Sequence, residues 1–124
     1  MVPVEVKLHT KSAFLEMIYD DGMVFELPAE YLRVFSPSAE VQGHSPDQKQ
    51  LQHGKKDVAI TRLEPQGHYA LRIAFSDGHD SGIYSWEYLY RLGADRERLW
   101  ADYLEELEAA GKSRASGVIF TSAV

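Results

Sequence analysis

Apolar and polar residues alternate through Val4-Glu5-Val6-Lys7-Leu8, the period-two pattern of a half-buried strand. A second apolar run, Ser12 to Tyr19, predicts another strand. Asp20-Asp21-Gly22 then supplies a hairpin turn, and Met23 to Leu27 returns as its partner. The strongest strand signal is Tyr69 to Phe75, where Tyr69, Leu71, Ile73 and Phe75 share one face. Val58, Ile60 and Leu63 open this second block. Ser76-Asp77-Gly78-His79 turns the chain, and Ser81 to Tyr84 pairs back.

Helical spacing follows each block. Pro28 is expected at the first helical position, where its missing N–H is not needed. Glu30 in the first turn suits the helix dipole, and Tyr31, Leu32 and Phe35 give a short apolar face. This helix must end before Pro37. Ser85 is a fitting N-cap for a helix through Trp86, Leu89 and Leu92, with Gly93 as its left-handed end. Asp95 to Ala110 predicts the longest helix. Its stripe is Leu99, Tyr103 and Leu107, flanked by Trp100 and Leu104. Ser36 to Lys56 carries Pro37, Gly43, Pro46 and Gly54 and reads as a long loop. The pattern predicts an α+β fold with two hairpin-based groups of antiparallel strands. One short helix follows the first group, and helices close the carboxyl end. Residues 1–110 are expected to form one domain and 111–124 a mobile tail, in which Val118-Ile119-Phe120 has the character of a docking segment.

The 124 residues are 44% hydrophobic and 11% aromatic, enough for a globular core. The net charge is −6, and the 13 basic residues are scattered, which argues against a nucleic-acid surface. No run approaches a membrane helix, and Met1-Val2-Pro3-Val4-Glu5 lacks the pattern of a signal peptide, so a cytoplasmic home is expected. The sequence has no cysteine. That removes disulfides, thiol catalysis and thiolate metal sites.

Candidate chemistry is sparse. There is no P-loop, no Gly-x-Gly-x-x-Gly and no Gly-x-Ser-x-Gly elbow. His79 sits between Asp77 and Asp80, where it can act as a base or ligand, or simply order its turn. Glu40, His44, Asp47 and His53 supply donors within one loop, but their spacing matches no common zinc pattern. Tyr84, Trp86 and Tyr90 can line an aromatic pocket for a cation or fill the core. Trp100 and Tyr103 can pack inward or meet a partner.

Particular segments resemble a known family. They are Tyr19-Asp20-Asp21-Gly22, Leu32-Arg33, Gly67-His68-Tyr69-Ala70-Leu71 and Asp77-Gly78-His79-Asp80-Ser81-Gly82-Ile83-Tyr84. Together they are similar to the N-terminal domain of gamma-butyrobetaine hydroxylase, over about residues 4–93. The resemblance implies a four-ligand zinc site of three cysteines and the turn histidine. The corresponding positions here are Ser36, Ser38, Val41 and His79. Hydroxylase activity belongs to a separate oxygenase domain in that family, so the resemblance does not carry it here. What it implies is a non-catalytic accessory module with a protein partner, no cofactor and the zinc site lost. The alternative is a metal- or small-molecule-binding protein, related to iron–sulfur assembly, that uses His79 and its carboxylates. If the resemblance holds, the Ser36–Val41 segment lies against His79.

Overall fold

The structure is a computed structural model and describes residues 1–117. Strands β1 (Glu5–His9), β2 (Phe14–Ile18) and β3 (Val24–Pro28) form an antiparallel meander in the order β1-β2-β3. Leu15 pairs with Leu8 and Leu27, so one apolar row crosses all three strands. The turn after β2 is built as its residues predict. Gly22 takes φ +87°, and Asp21 Oδ1 accepts the Met23 N–H at 3.0 Å.

Helix α1 (Ala29–Val34) follows directly. Pro28, expected inside this helix, instead closes β3 and stands one residue before it in extended backbone. The strand continues through Pro28 because its partner Phe14 extends the ladder to that position. The segment expected as a plain loop contains helix α2 (Ala39–Gln42), capped by Ser38, and a single 3-10 turn at Pro46–Gln48. Gln50 N–H donates to Val41 O at 2.7 Å, and Tyr103 Oη to Gln52 O at 2.7 Å, so both halves of the segment are tied down.

The second sheet runs β4 (Ile60–Gln66), β5 (Ala70–Phe75), β6 (Gly82–Ser85), again antiparallel. Leu71, Ile73 and Phe75 face the core, but Tyr69 does not share their face. It lies before the strand and is 67% exposed. Helices α3 (Trp86–Ala94) and α4 (Arg96–Ala109) complete the order. Ser85 caps α3 by accepting the Tyr88 N–H at 3.0 Å. Gly93 is not the end of that helix. It lies within α3, where a Cβ would come within 2.3 Å of the Phe25 ring. Glycine is needed there for close packing of helix on strand, not for a left-handed turn.

One core cluster draws on both sheets and helices α1 and α3: Leu15, Met17 and Leu27 meet Ile73, Phe75, Tyr84, Leu32, Leu89 and Leu92. Val34, Tyr103 and Leu107 form a smaller cluster. Leu104, expected beside the α4 stripe, faces solvent at 39% exposure. Of the segment 111–124, residues 113–116 make defined contacts: Gly54 N–H donates to Ser113 O and Lys56 N–H to Arg114 O. Val118-Ile119-Phe120 lies outside the described residues. Among the described residues, no helix is long and apolar enough to cross a membrane.

Candidate functional site

The end of α1, the turn into α2 and the β5–β6 hairpin meet at Ser36 and His79. Each approach has a local cause. The chain leaves α1 at Phe35, Pro37 keeps Ser36 out of helical backbone, and Ser38 starts α2 in extended backbone. On the hairpin, Gly78 takes φ +92°, and Asp77 Oδ1 accepts the His79 N–H at 3.1 Å, turning the imidazole inward. Gly82 leaves room for the approach, because a Cβ there would lie 2.6 Å from Ser36 Oγ.

The result is a hydrogen-bonded network. Ser36 Oγ lies 2.8 Å from His79 Nε2 and accepts the Ser38 N–H at 3.2 Å. His79 Nδ1 lies 3.2 Å from Glu40 Oε2. A carboxylate only accepts, so Nδ1 carries the proton and Nε2 accepts the Ser36 hydroxyl. Ser38 Oγ accepts the Glu40 N–H at 3.2 Å and lies 2.7 Å from Ser81 Oγ, which donates to Glu40 Oε1 at 3.0 Å. Gln42 Nε2 donates to Ser36 O at 2.9 Å. Val41 packs at 1% exposure, and Ser36 is wholly buried. Ser36, Ser38 and His79 therefore share one network, and Val41 is buried in the adjoining helix α2.

Asp77 anchors the rim. It accepts Arg33 Nε at 2.8 Å and Lys55 Nζ at 2.6 Å. Burial pushes its carboxyl up, but Lys55, the His79 N–H and Arg33 outweigh it and hold the pKa at about 2. His79 moves below its ordinary value. Burial is the main cause and Arg33 adds to it, against the pull of Glu40 and Asp77. The imidazole is therefore neutral near pH 7.

Ser36, His79 and Glu40 are ordered like a nucleophile, base and orienting acid. The chemistry does not follow, because Ser36 is 0% exposed and its oxygen is engaged twice within the protein. The set does not suit zinc either. Serine hydroxyls stay protonated near pH 7, Val41 offers no donor, and His79 Nε2 is taken by Ser36. Among the described residues, no three His, Asp or Glu side chains converge as a metal site. Glu40 turns to His79, while His44 and His53 are exposed and Asp47 accepts from Ser45.

The remaining candidates lie elsewhere. Asp80 is exposed, and its backbone O accepts Arg72 Nε at 2.7 Å. Trp86 Nε1 donates to His68 O at 2.9 Å. Tyr84 is buried and donates to Leu32 O, whereas Tyr90 packs on Tyr19 and Phe25, so the three aromatics do not form one pocket. Trp100 packs with Tyr31 and Tyr103. Two residues of the site carry no local sequence signal. Arg33 reaches Asp77 across 44 positions, and Glu40 reaches His79 across 39.

The profile of the family "Gamma-butyrobetaine hydroxylase-like, N-terminal" matches residues 6–90. A protein solved by NMR in solution is 48% identical, with 99% of this chain and 97% of that chain covered and a TM-score of 0.81. A second NMR structure is 42% identical, covering 98% and 93%, with a TM-score of 0.77. The crystal structure of a protein of unknown function from Acidithiobacillus ferrooxidans ATCC 23270, of the DUF971 family, is 39% identical. It covers 74% of this chain and 92% of that chain, with a TM-score of 0.63. No protein of curated function matches.

Proposed function

The chain belongs to the gamma-butyrobetaine hydroxylase-like N-terminal family, and we propose that it is a non-catalytic accessory module whose zinc site has been replaced by hydrogen bonds. One observation carries this reading: the buried contact of Ser36 Oγ with His79 Nε2 at 2.8 Å, between the two segments that a metal would otherwise join. Such a contact leaves nothing for a metal to satisfy. The hydroxyl, the imidazole and the Ser38 N–H already meet one another, and such buried pairing orders its surroundings. A partner's chemistry, in the cytoplasm, is what an accessory module of this kind would serve.

The test is a calorimetric titration of the chelator-treated protein with Zn²⁺, run beside the triple variant Ser36→Cys, Ser38→Cys, Val41→Cys. The wild-type chain takes up no stoichiometric zinc, and chelator leaves its melting temperature unchanged. The variant, with His79 as fourth ligand, is expected to bind one zinc tightly, because Ser36 and Ser38 already share a network with His79 and Val41 lies three residues on. A tight zinc site in the wild-type protein contradicts the reading.

A further inference from the structure

A separate feature lies where the segment after α4 crosses the start of α1. Glu30, in the first turn of α1, is only 8% exposed. Both its oxygens face Arg114: Nε donates to Oε2 at 2.9 Å and Nη2 to Oε1 at 2.7 Å. The guanidinium also sits 5.3 Å from the Trp100 ring centroid. A carboxylate accepting two parallel N–H bonds beside an aromatic face selects guanidinium over ammonium, because only the planar fork satisfies both. The backbone reads the same residue. Gly54 N–H donates to Ser113 O at 2.9 Å and Lys56 N–H to Arg114 O at 3.0 Å, holding the carbonyls on either side of the arginine side chain.

The burial is asymmetric. The Glu30 side chain is 8% exposed, whereas that of Arg114 is 40% exposed and borders a groove of about 640 Å³ along Pro28, Gly93 and Trp100. Ser113 and Ala115, which flank Arg114, are exposed. The carboxylate is thus buried, while the arginine paired with it is partly exposed. A buried carboxylate is costly without a partner, so Arg114 leaves readily only in exchange for another guanidinium. The net charge of −6 favours the approach of a basic segment.

We infer that Glu30, Trp100 and the Gly54 and Lys56 N–H groups form a receptor for an arginine on an extended segment of a partner protein, which the chain's own Arg114 fills in cis. The inference gives the accessory-module reading a partner class but uses none of the Ser36–His79 residues, so the zinc titration and the following test fail independently.

The probe is the pentapeptide acetyl-Lys-Ser-Arg-Ala-Ser-amide, with a control in which lysine replaces its arginine, titrated into the full chain and followed by the Trp100 indole N–H signal in NMR. The Arg114→Ala variant binds the arginine peptide about tenfold tighter than it binds the lysine peptide, and about tenfold tighter than the wild-type chain binds the arginine peptide. Adding Glu30→Gln removes that preference. At saturation the peptide displaces Arg114 in the wild-type chain, and the Arg114 Nε–H signal moves to that of a solvent-exposed guanidinium. Should Arg114→Ala unfold, Arg114→Lys, which keeps the cation but loses the fork, is titrated in its place with the same expectation. The inference is overturned if the variant does not prefer arginine over lysine. It is equally overturned if saturating peptide leaves the wild-type Arg114 Nε–H signal unmoved, which would make Arg114 a fixed internal clasp.

Discussion

Replacing Ser36 by alanine removes two hydrogen bonds at one buried atom and leaves His79 Nε2 and the Ser38 N–H without partners. Leaving buried polar groups unpaired costs about 1–3 kcal/mol, so Ser36→Ala should lower unfolding stability by that amount in urea titration. A loss no larger than that of an exposed serine, such as Ser113→Ala, would show that the network holds nothing. His79 supplies a second prediction at this scale. Its pKa is lowered in the folded protein, chiefly by burial, so the unfolded chain binds a proton more readily below the ordinary value of 6.5. Stability therefore falls as pH drops through 6.5. Asp77, held at about 2, contributes stability that is complete above 3.8 and is lost only on further acidification, so the two effects occupy separate windows. Urea midpoints measured from pH 8 to pH 5 should fall for the wild type and fall less for His79→Asn; equal slopes would contradict the assignment. His79 was conspicuous in the sequence because its turn has a recognisable pattern. Its partners Ser36 and Glu40 were not paired with it by any local signal, because the contacts span 43 and 39 residues and depend on how the sheet and α1 dock.

At the scale of elements, close packing decides what propensity leaves open. Gly93→Ala improves helix propensity by about 1 kcal/mol but drives a methyl into the Phe25 ring. Overpacking costs about 1–3 kcal/mol, so the variant should be net destabilised, seen as a lower melting temperature. An increase would return Gly93 to the role of an ordinary helix residue. In α4, Leu107 is buried at 4% and Leu104 is 39% exposed. Leu107→Ala should cost about 2–4 kcal/mol and Leu104→Ala well under 1 kcal/mol in the same assay. The strands, the Asp21-Gly22 turn and the Ser85 cap were legible because each is set by residues within a few positions. Pro28 was misplaced by one residue, since proline fits the end of an edge strand as well as a helix start. The turns inside 36–56 were hidden for a different reason. Helix α2 has four residues and the 3-10 turn three, too short to show a period.

Across the whole molecule, both sheets and α1 contribute to one core, and the polar network sits where the segment after α1 returns to the second sheet. The chain has no cysteine, and the meeting of the two segments rests on packing and hydrogen bonds. The core fixes the two segments, Gly82 permits their approach, and the hydrogen bonds complete it. We propose that this contact holds without metal. It is tested most directly by NMR of the chelator-treated protein, reading the His79 ring nitrogens and the proton contacts between Ser36–Val41 and the β5–β6 hairpin. The expected result is a neutral imidazole protonated at Nδ1, with Nε2 accepting a hydrogen bond and loop-to-hairpin contacts unchanged when equimolar Zn²⁺ is added. Loss of those contacts in chelator, or a shift of Nε2 into zinc coordination on titration, would contradict it.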